Sequence, residues 1–467
     1  MEKSRLVKLL RTLSKEEVRD LKKFVRAPLF NQRREVAVLF DVLENAIRSG
    51  GAAPDKEQAF RLVFKKGAYD DHRVRMAMSF LFQAAGQFLA VKEFLDDKRQ
   101  YQRRLASIFR QRRLPGQFSG AWEEAAAAQQ RQPFRNADFF EEKYQLLLER
   151  YRFEVDTQSV DLIDFQELSD HLDHAFLARK LWQACFMLSH QTVRNTTYDF
   201  GLLDAALSHV ERTKALDVPA VAIYYYCYRA LTQPGEKSFF QQFRHLLTQH
   251  GPLFPADELR DLYLLAINFC IRQYNAGNLD YLPEQFDLYK EGFDNQYFTT
   301  GGALSRYTYQ NAATIGLVMR DLEWVERFVH GYRPFLKEEH REGLFSFNLA
   351  RLEYQRRDLG KALQLLQRAE YKDLLLNLAA KMLQIKIFYE LGEFDLLESH
   401  LQAVRTFIQR KKVMGYHREN YLNTVHFTRK LLETNLFDKN ARAALRLEIE
   451  ETRSVAEKEW LLAMIHE

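Results

Sequence analysis

Four short connections in the second half of the chain limit its fold more than any other feature. They read Gly277-Asn278-Leu279, Arg320-Asp321-Leu322, Arg357-Asp358-Leu359 and Gly392-Glu393-Phe394. Each follows a long stretch with apolar residues at helical spacing. Each precedes a second such stretch, marked by Leu282/Phe286, Val325/Val329, Ala362/Leu366 and Leu397/Leu401. The apolar turn residues stand 43, 37 and 35 positions apart. The repeating unit is therefore a helix pair with an uneven period. One such pair cannot bury its apolar face alone, whereas pairs stacked in series share a continuous core.

The rest of the chain agrees. Gly and Pro number 19 and 10 in 467 residues, about 6 % together, against a usual share of about 12 %. That scarcity excludes a turn-rich β fold. Phe 36 and Tyr 22 are abundant, and large rings fill the gaps between unevenly spaced helices without any cofactor. No period-2 strand pattern occurs. Residues 223–228, strand-like by propensity, sit among helical neighbours and read as helix. The expected fold is all-α: an α-solenoid of stacked antiparallel helix pairs over 138–467, preceded by a basic helical domain over 1–113. Leu114-Pro115-Gly116 terminates a helical segment spanning 70–113, and 114–137 reads as a linker.

Near the start, Ser14 and Glu17 have capping-box spacing, with Leu13 and Val18 as the hydrophobic staple. Pro28 stops that helix, Asn31 is a cap for the next, and Pro54 suits the first turn of another.

The clearest repeat runs Leu349-Ala350, Tyr354, Asp358-Leu359, Ala362, Leu366, Ala369. It resembles a tetratricopeptide (TPR) repeat: Ala350, Asp358, Ala362 and Ala369 fit, and Tyr354 falls one residue late. Phe388, Glu393 and Phe394 resemble the next unit less closely. The early Trp and closing Pro of that family are missing, and the periods are uneven. The resemblance covers about 260–411 and implies a degenerate TPR-like solenoid with a partner-binding concave surface. Residues 13–31, LSKEEVRDLKKFVRAPLFN, are also similar to bacterial helical proteins, a likeness that implies no activity.

No P-loop, dinucleotide fingerprint, HExxH or GxSxG motif occurs. Asp170, His171, Asp173 and His174 cluster on one helix, but no partner Glu-x-x-His accompanies them, and they read as a solvated face. Cys185, Cys227 and Cys270 read as small core residues in a reducing compartment. No cofactor or metal is expected. There is no run of about 18 apolar residues, so no membrane span is expected either. The default location is the cytoplasm.

Two binding features remain. Residues 1–135 carry 28 basic and 16 acidic side chains, the remainder 40 and 47. Within the basic third, Arg99, Arg103, Arg104, Arg110, Arg112 and Arg113 form a stripe at helical spacing, suited to an anionic partner. If the TPR register holds, Arg351, Tyr354, Lys386 and Tyr389 face a groove, able to hold an acidic or aromatic-bearing segment of a protein or peptide. The expected function is a non-enzymatic interaction scaffold or adaptor. The alternative is a nucleic-acid-associated regulator, with a basic N-terminal domain and a TPR-like sensor.

Overall fold

The computed structural model describes residues 1–48, 50–65, 67–157, 164–194, 196–410 and 417–466. Among them are 23 α-helices and no strand. The chain divides into two compact units, Met1–Phe176 and Leu177–Glu467.

Unit 1 holds α1 (Arg5–Thr12), α2 (Lys15–Phe24), α3 (Arg34–Arg48), α4 (Lys56–Phe64), α5 (Asp71–Asp96), α6 (Lys98–Gln111), α7 (Pro115–Gln130) and α8 (Ala137–Asp156). The division itself falls within α9 (Phe165–Arg194). The Ser14–Glu17 capping box forms in both directions. Asn31 acts just ahead of α3, its side-chain oxygen accepting from the Arg33 amide at 3.0 Å. Pro54 lies outside α4, where Asp55 and Gln58 make a capping box. α5 packs on α1 to α4 and buries Val74, Ala77, Leu81, Ala85 and Phe88 in the core they share. An 18-residue window within α5 has a mean hydropathy of 1.3, so by length and composition alone it could cross a membrane. It ends at Asp97, whose carboxylate accepts from the Arg99 amide at 3.0 Å and starts α6.

The expected linker at 114–137 is instead occupied by α7. This helix packs on α6 and α8 and buries Phe118, Ala121, Ala125 and Gln129. Phe118 stacks on Phe153 at 3.9 Å, and the Trp122 indole donates to the Leu146 carbonyl at 3.0 Å. Pro115 ends one helix and, lacking an N–H that would need a partner, begins the next. The expected boundary therefore moves to 176/177. The stretch 136–176, with 3 basic and 11 acidic residues, joins the basic third in one unit.

Unit 2 continues with α10 (Leu203–Arg212), α11 (Pro219–Thr232), α12 (Lys237–His250), α13 (Ala256–Asn275), α14 (Tyr281–Asp294), α15 (Arg306–Val318) and α16 (Leu322–Tyr332). Then come α17 (Glu338–Gln355), α18 (Leu359–Arg368), α19 (Leu374–Glu390), α20 (Phe394–Arg410), α21 (His417–Glu433), α22 (Lys439–Glu451) and α23 (Lys458–His466). Residues 223–228 lie inside α11. From α11 to α20 each odd-numbered helix packs on its successor. Several first helices also touch the first helix of the next pair: α11 with α13, α15 with α17 and α17 with α19. All three cysteines are buried.

The four connections share one geometry. Gly277, Arg320, Arg357 and Gly392 have φ of 90, 57, 66 and 74°. The next amide reaches back five residues in each case: Asn278 to Gln273, Asp321 to Gly316, Asp358 to Glu353 and Glu393 to Phe388, at 3.0–3.1 Å. These are Schellman turns, which satisfy helix-end carbonyls through a left-handed residue. Asp321 and Asp358 serve twice. Their amides close one helix, and their carboxylates cap the next at Trp324 and Lys361. The α6–α7 junction repeats the motif, with Arg113 at φ 59° and the Leu114 amide on the Phe109 carbonyl at 3.0 Å.

Candidate functional site

The four residues expected in the groove lie on adjacent helices, Arg351 and Tyr354 on α17, Lys386 and Tyr389 on α19. The Lys386 ammonium stands 5.1 Å from the Tyr354 ring centroid. Their polar groups are engaged by the chain itself. Tyr354 donates to Glu390, which also accepts from the Trp460 indole at 3.0 Å and pairs with Arg357 at 2.7 Å. Lys386 pairs with Glu457 at 3.0 Å. Tyr389 meets the edge of Trp460 at 5.6 Å. Glu457 thus sits against Lys386, and Trp460 of α23 against Tyr389. Arg351 turns inward and donates to the Thr314 hydroxyl at 2.7 Å; burial pushes its pKa down to about 10. The Tyr354 hydroxyl is pushed well up by burial, then by its bond to the Glu390 carboxylate.

One helical turn or more toward the amino ends of the same first helices lies a hollow of about 210 Å³. Its lining comes from α15, α17 and α19, three successive pairs, and from the loop before α19. Arg306 organises it. Its guanidinium donates to Asp373 at 3.1 Å and to the Tyr307 hydroxyl at 2.7 Å, with the His340 ring at 3.5 Å. Asp373 also caps α19, accepting from the Leu376 amide at 3.0 Å. Lys372 is exposed at the rim, as are Tyr307 and Leu375 at 64 % and 44 %. In the same loop the buried Tyr371 hydroxyl has no hydrogen-bond partner among the described atoms. Sequence reasoning missed this hollow. The available signal was the inner-helix register itself, extended toward the helix starts from Arg351 and Lys386.

The arginine stripe of unit 1 divides. Arg99 pairs with Asp97 and with Glu142 of α8, and Arg110 with Glu149 at 3.2 Å and Asp156 at 3.0 Å. Burial works against the charge of both guanidiniums. The carboxylates outweigh it and hold their pKa above the usual value. Arg103 and Arg104 line a hollow of about 320 Å³ with Arg110 and Arg152, while Arg112 and Arg113 stand exposed. Two of the six arginines, Arg99 and Arg110, are thus packing between α6 and α8.

Of the cluster at 170–174, Asp173 is exposed, but the two histidines are not simply solvated. His171 and His174 pack around Phe140 at 5.8 and 5.3 Å, and burial, followed by the Lys143 charge, lowers the His171 pKa. Among the described residues no group of three His, Cys, Asp or Glu is placed to hold a metal.

These features define an all-helical protein with charged hollows between helix ends. No family model, no curated protein and no solved structure matches the chain.

Proposed function

We propose that the protein is a non-enzymatic interaction scaffold. In this reading unit 2 is a TPR-like solenoid, and the first helices of its pairs present a concave surface to one segment of a partner protein. The hollow at Arg306 carries the proposal, because three successive first helices contribute to it. Arg306 and Lys372 offer cations and Glu339, Glu370 and Asp373 carboxylates, while Tyr307 and Leu375 offer exposed apolar area. An extended or helical segment with charged residues of both signs near an apolar one matches that set. The surface is already ordered by the Arg306–Asp373 pair, which limits the entropy lost on binding. The Tyr354–Lys386–Tyr389 surface stands in this scheme as the seat of the chain's own last helix.

The test places a photocrosslinking amino acid at Tyr307 or Leu375, and as control at Leu396 on α20, which is 54 % exposed. In the native cell, discrete adducts from the first two positions and none from the third support the reading. Absence of a discrete adduct at Tyr307 and Leu375, or the same pattern from Leu396, overturns it.

A further inference from the structure

Unit 1 contains a larger cleft, of about 690 Å³, that neither the stripe nor the groove includes. Three elements form it: the start of α3, the end of α4 and the first three turns of α5. Five basic side chains line it, Arg33, Arg34, Lys65, His72 and Arg73, against one carboxylate, Glu35. Such a volume is in the range of small-molecule sites, about 300–1,000 Å³.

Two of the cations are held in place without losing their hydrogen-bonding edges. The Arg33 guanidinium lies 3.9 Å over the Phe80 ring, and that of Arg73 lies 4.2 Å over Phe64. Both rings pack against the core of unit 1. Stacking uses the face of a guanidinium and leaves its in-plane N–H donors pointing outward, the arrangement that serves a bidentate oxyanion. Other arginines nearby spend those donors on carboxylates, as Arg26 does on Asp41 at 2.8 Å and Arg61 on Glu57 at 2.6 Å. Arg34, Lys65 and Arg73 make no ion pair with a described carboxylate, and Arg33 has only Glu35 at 3.7 Å.

The position of these charges is also electrostatically unfavourable within the fold itself. Arg33 and Arg34 stand at the amino end of α3, where the helix dipole repels cations. At α5 the Asp70 carboxylate caps the His72 and Arg73 amides, and Asp71 is taken by Lys56 and Arg75. Neither carboxylate lines the cleft. An anion seated among the Arg33, Arg34, Lys65 and Arg73 cations would relieve this repulsion. Val38, Val63 and Met76 add an apolar wall.

We propose that this cleft binds a ligand bearing two or more linked phosphates. Closely spaced oxyanions match cations converging from three elements, and a single carboxylate would leave most of them unanswered. The linked phosphates come from a nucleoside polyphosphate or from free polyphosphate.

The test titrates the full chain with inorganic tripolyphosphate and, separately, with ATP, by isothermal calorimetry at low and moderate salt. Saturable one-to-one binding is expected, weakening as salt rises. The Arg33→Gln/Arg73→Gln variant should lose at least tenfold in affinity. Arg34→Gln/Lys65→Gln disturbs no packed ring and should lose as much if the first variant unfolds. The control Arg112→Gln/Arg113→Gln, away from the cleft, should bind unchanged. Tighter binding of ATP than of tripolyphosphate assigns the ligand to nucleotides, and equal or weaker binding assigns it to free polyphosphate. Two results overturn the proposal: no saturable binding of either probe, or equal loss in the cleft and control variants.

Discussion

The Trp460 indole donates to the Glu390 carboxylate at 3.0 Å, joining the last helix to the end of α19. Glu390 is the acceptor for Tyr354 and Arg357 as well, and its side chain is only 8 % exposed. Removing that carboxylate strands buried donors, so Glu390→Ala should cost about 3 kcal/mol. Trp460→Phe keeps an aromatic six-membered ring but loses the hydrogen bond and part of the buried indole, at about 2 kcal/mol. Urea unfolding of the full chain measures both. Equal costs for the two variants would contradict the network.

The left-handed turns supply a second prediction. Arg320 holds φ at 57°, a region where side-chain-bearing residues are disfavoured and Gly is not. Its replacement by Gly should stabilise the protein by about 1 kcal/mol, read as a higher urea midpoint with an unchanged slope. A loss of stability would mean that the Arg320 side chain makes a contact worth more than the strain.

Within the arginine stripe, substitutions should separate cleanly. Arg110→Ala leaves Glu149, nearly buried, with Arg152 as its remaining partner, and should cost about 2 kcal/mol. Arg112→Ala, on the exposed end, should stay within about 0.5 kcal/mol. Comparable effects at the two positions would refute the division of the stripe.

His400 makes stability depend on pH. Burial holds its pKa at about 4, below the ordinary 6.5, and its Nε2 lies 3.2 Å from the Lys381 carbonyl. As pH falls from about 6.5 to 4, the unfolded chain takes up a proton that the folded chain refuses. Stability is therefore full above 6.5 and declines across that window, by up to about 3 kcal/mol. Urea midpoints at pH 7.5 and 4.5 should differ less for His400→Leu than for the parent. An identical acid loss in both proteins rules His400 out as the source.

Two helical glycines should respond in opposite directions. Adding a Cβ at Gly292 places it 2.2 Å from the Phe298 ring, whereas at Gly86 nothing lies within 4 Å. Gly292→Ala should destabilise by about 2 kcal/mol through overpacking. Gly86→Ala, in the interior of α5, should stabilise by about 1 kcal/mol. Differential unfolding of the two variants is the measurement, and matching signs would sink the packing account.

Local signals in the sequence proved reliable wherever one segment decides its own structure. The Ser14 capping box, the helical state of 223–228 and the four Gly or Arg turns all follow from chemistry within a few residues. The linker failed for a related reason. Leu114-Pro115-Gly116 carries both a stop and a start, and the periodic Phe118, Ala121, Trp122 and Ala125 were the signal for the start. The candidate residues fared differently because a helix face does not disclose its partner. Arg99 and Arg110 look like part of a free cationic stripe until α8 brings Glu142 and Glu149 against them. Tyr389 and Lys386 look like an open groove until Trp460 and Glu457 return from some 70 residues away.

The order of residues alone determined an all-helical chain of tightly turned pairs, because helix periodicity, caps and left-handed turn residues act over a handful of positions. Which cations are neutralised, which hollows remain, and which surface the last helix covers were decided only in three dimensions. Those outcomes depend on charges and rings distant in the chain, and no local pattern encodes their distances.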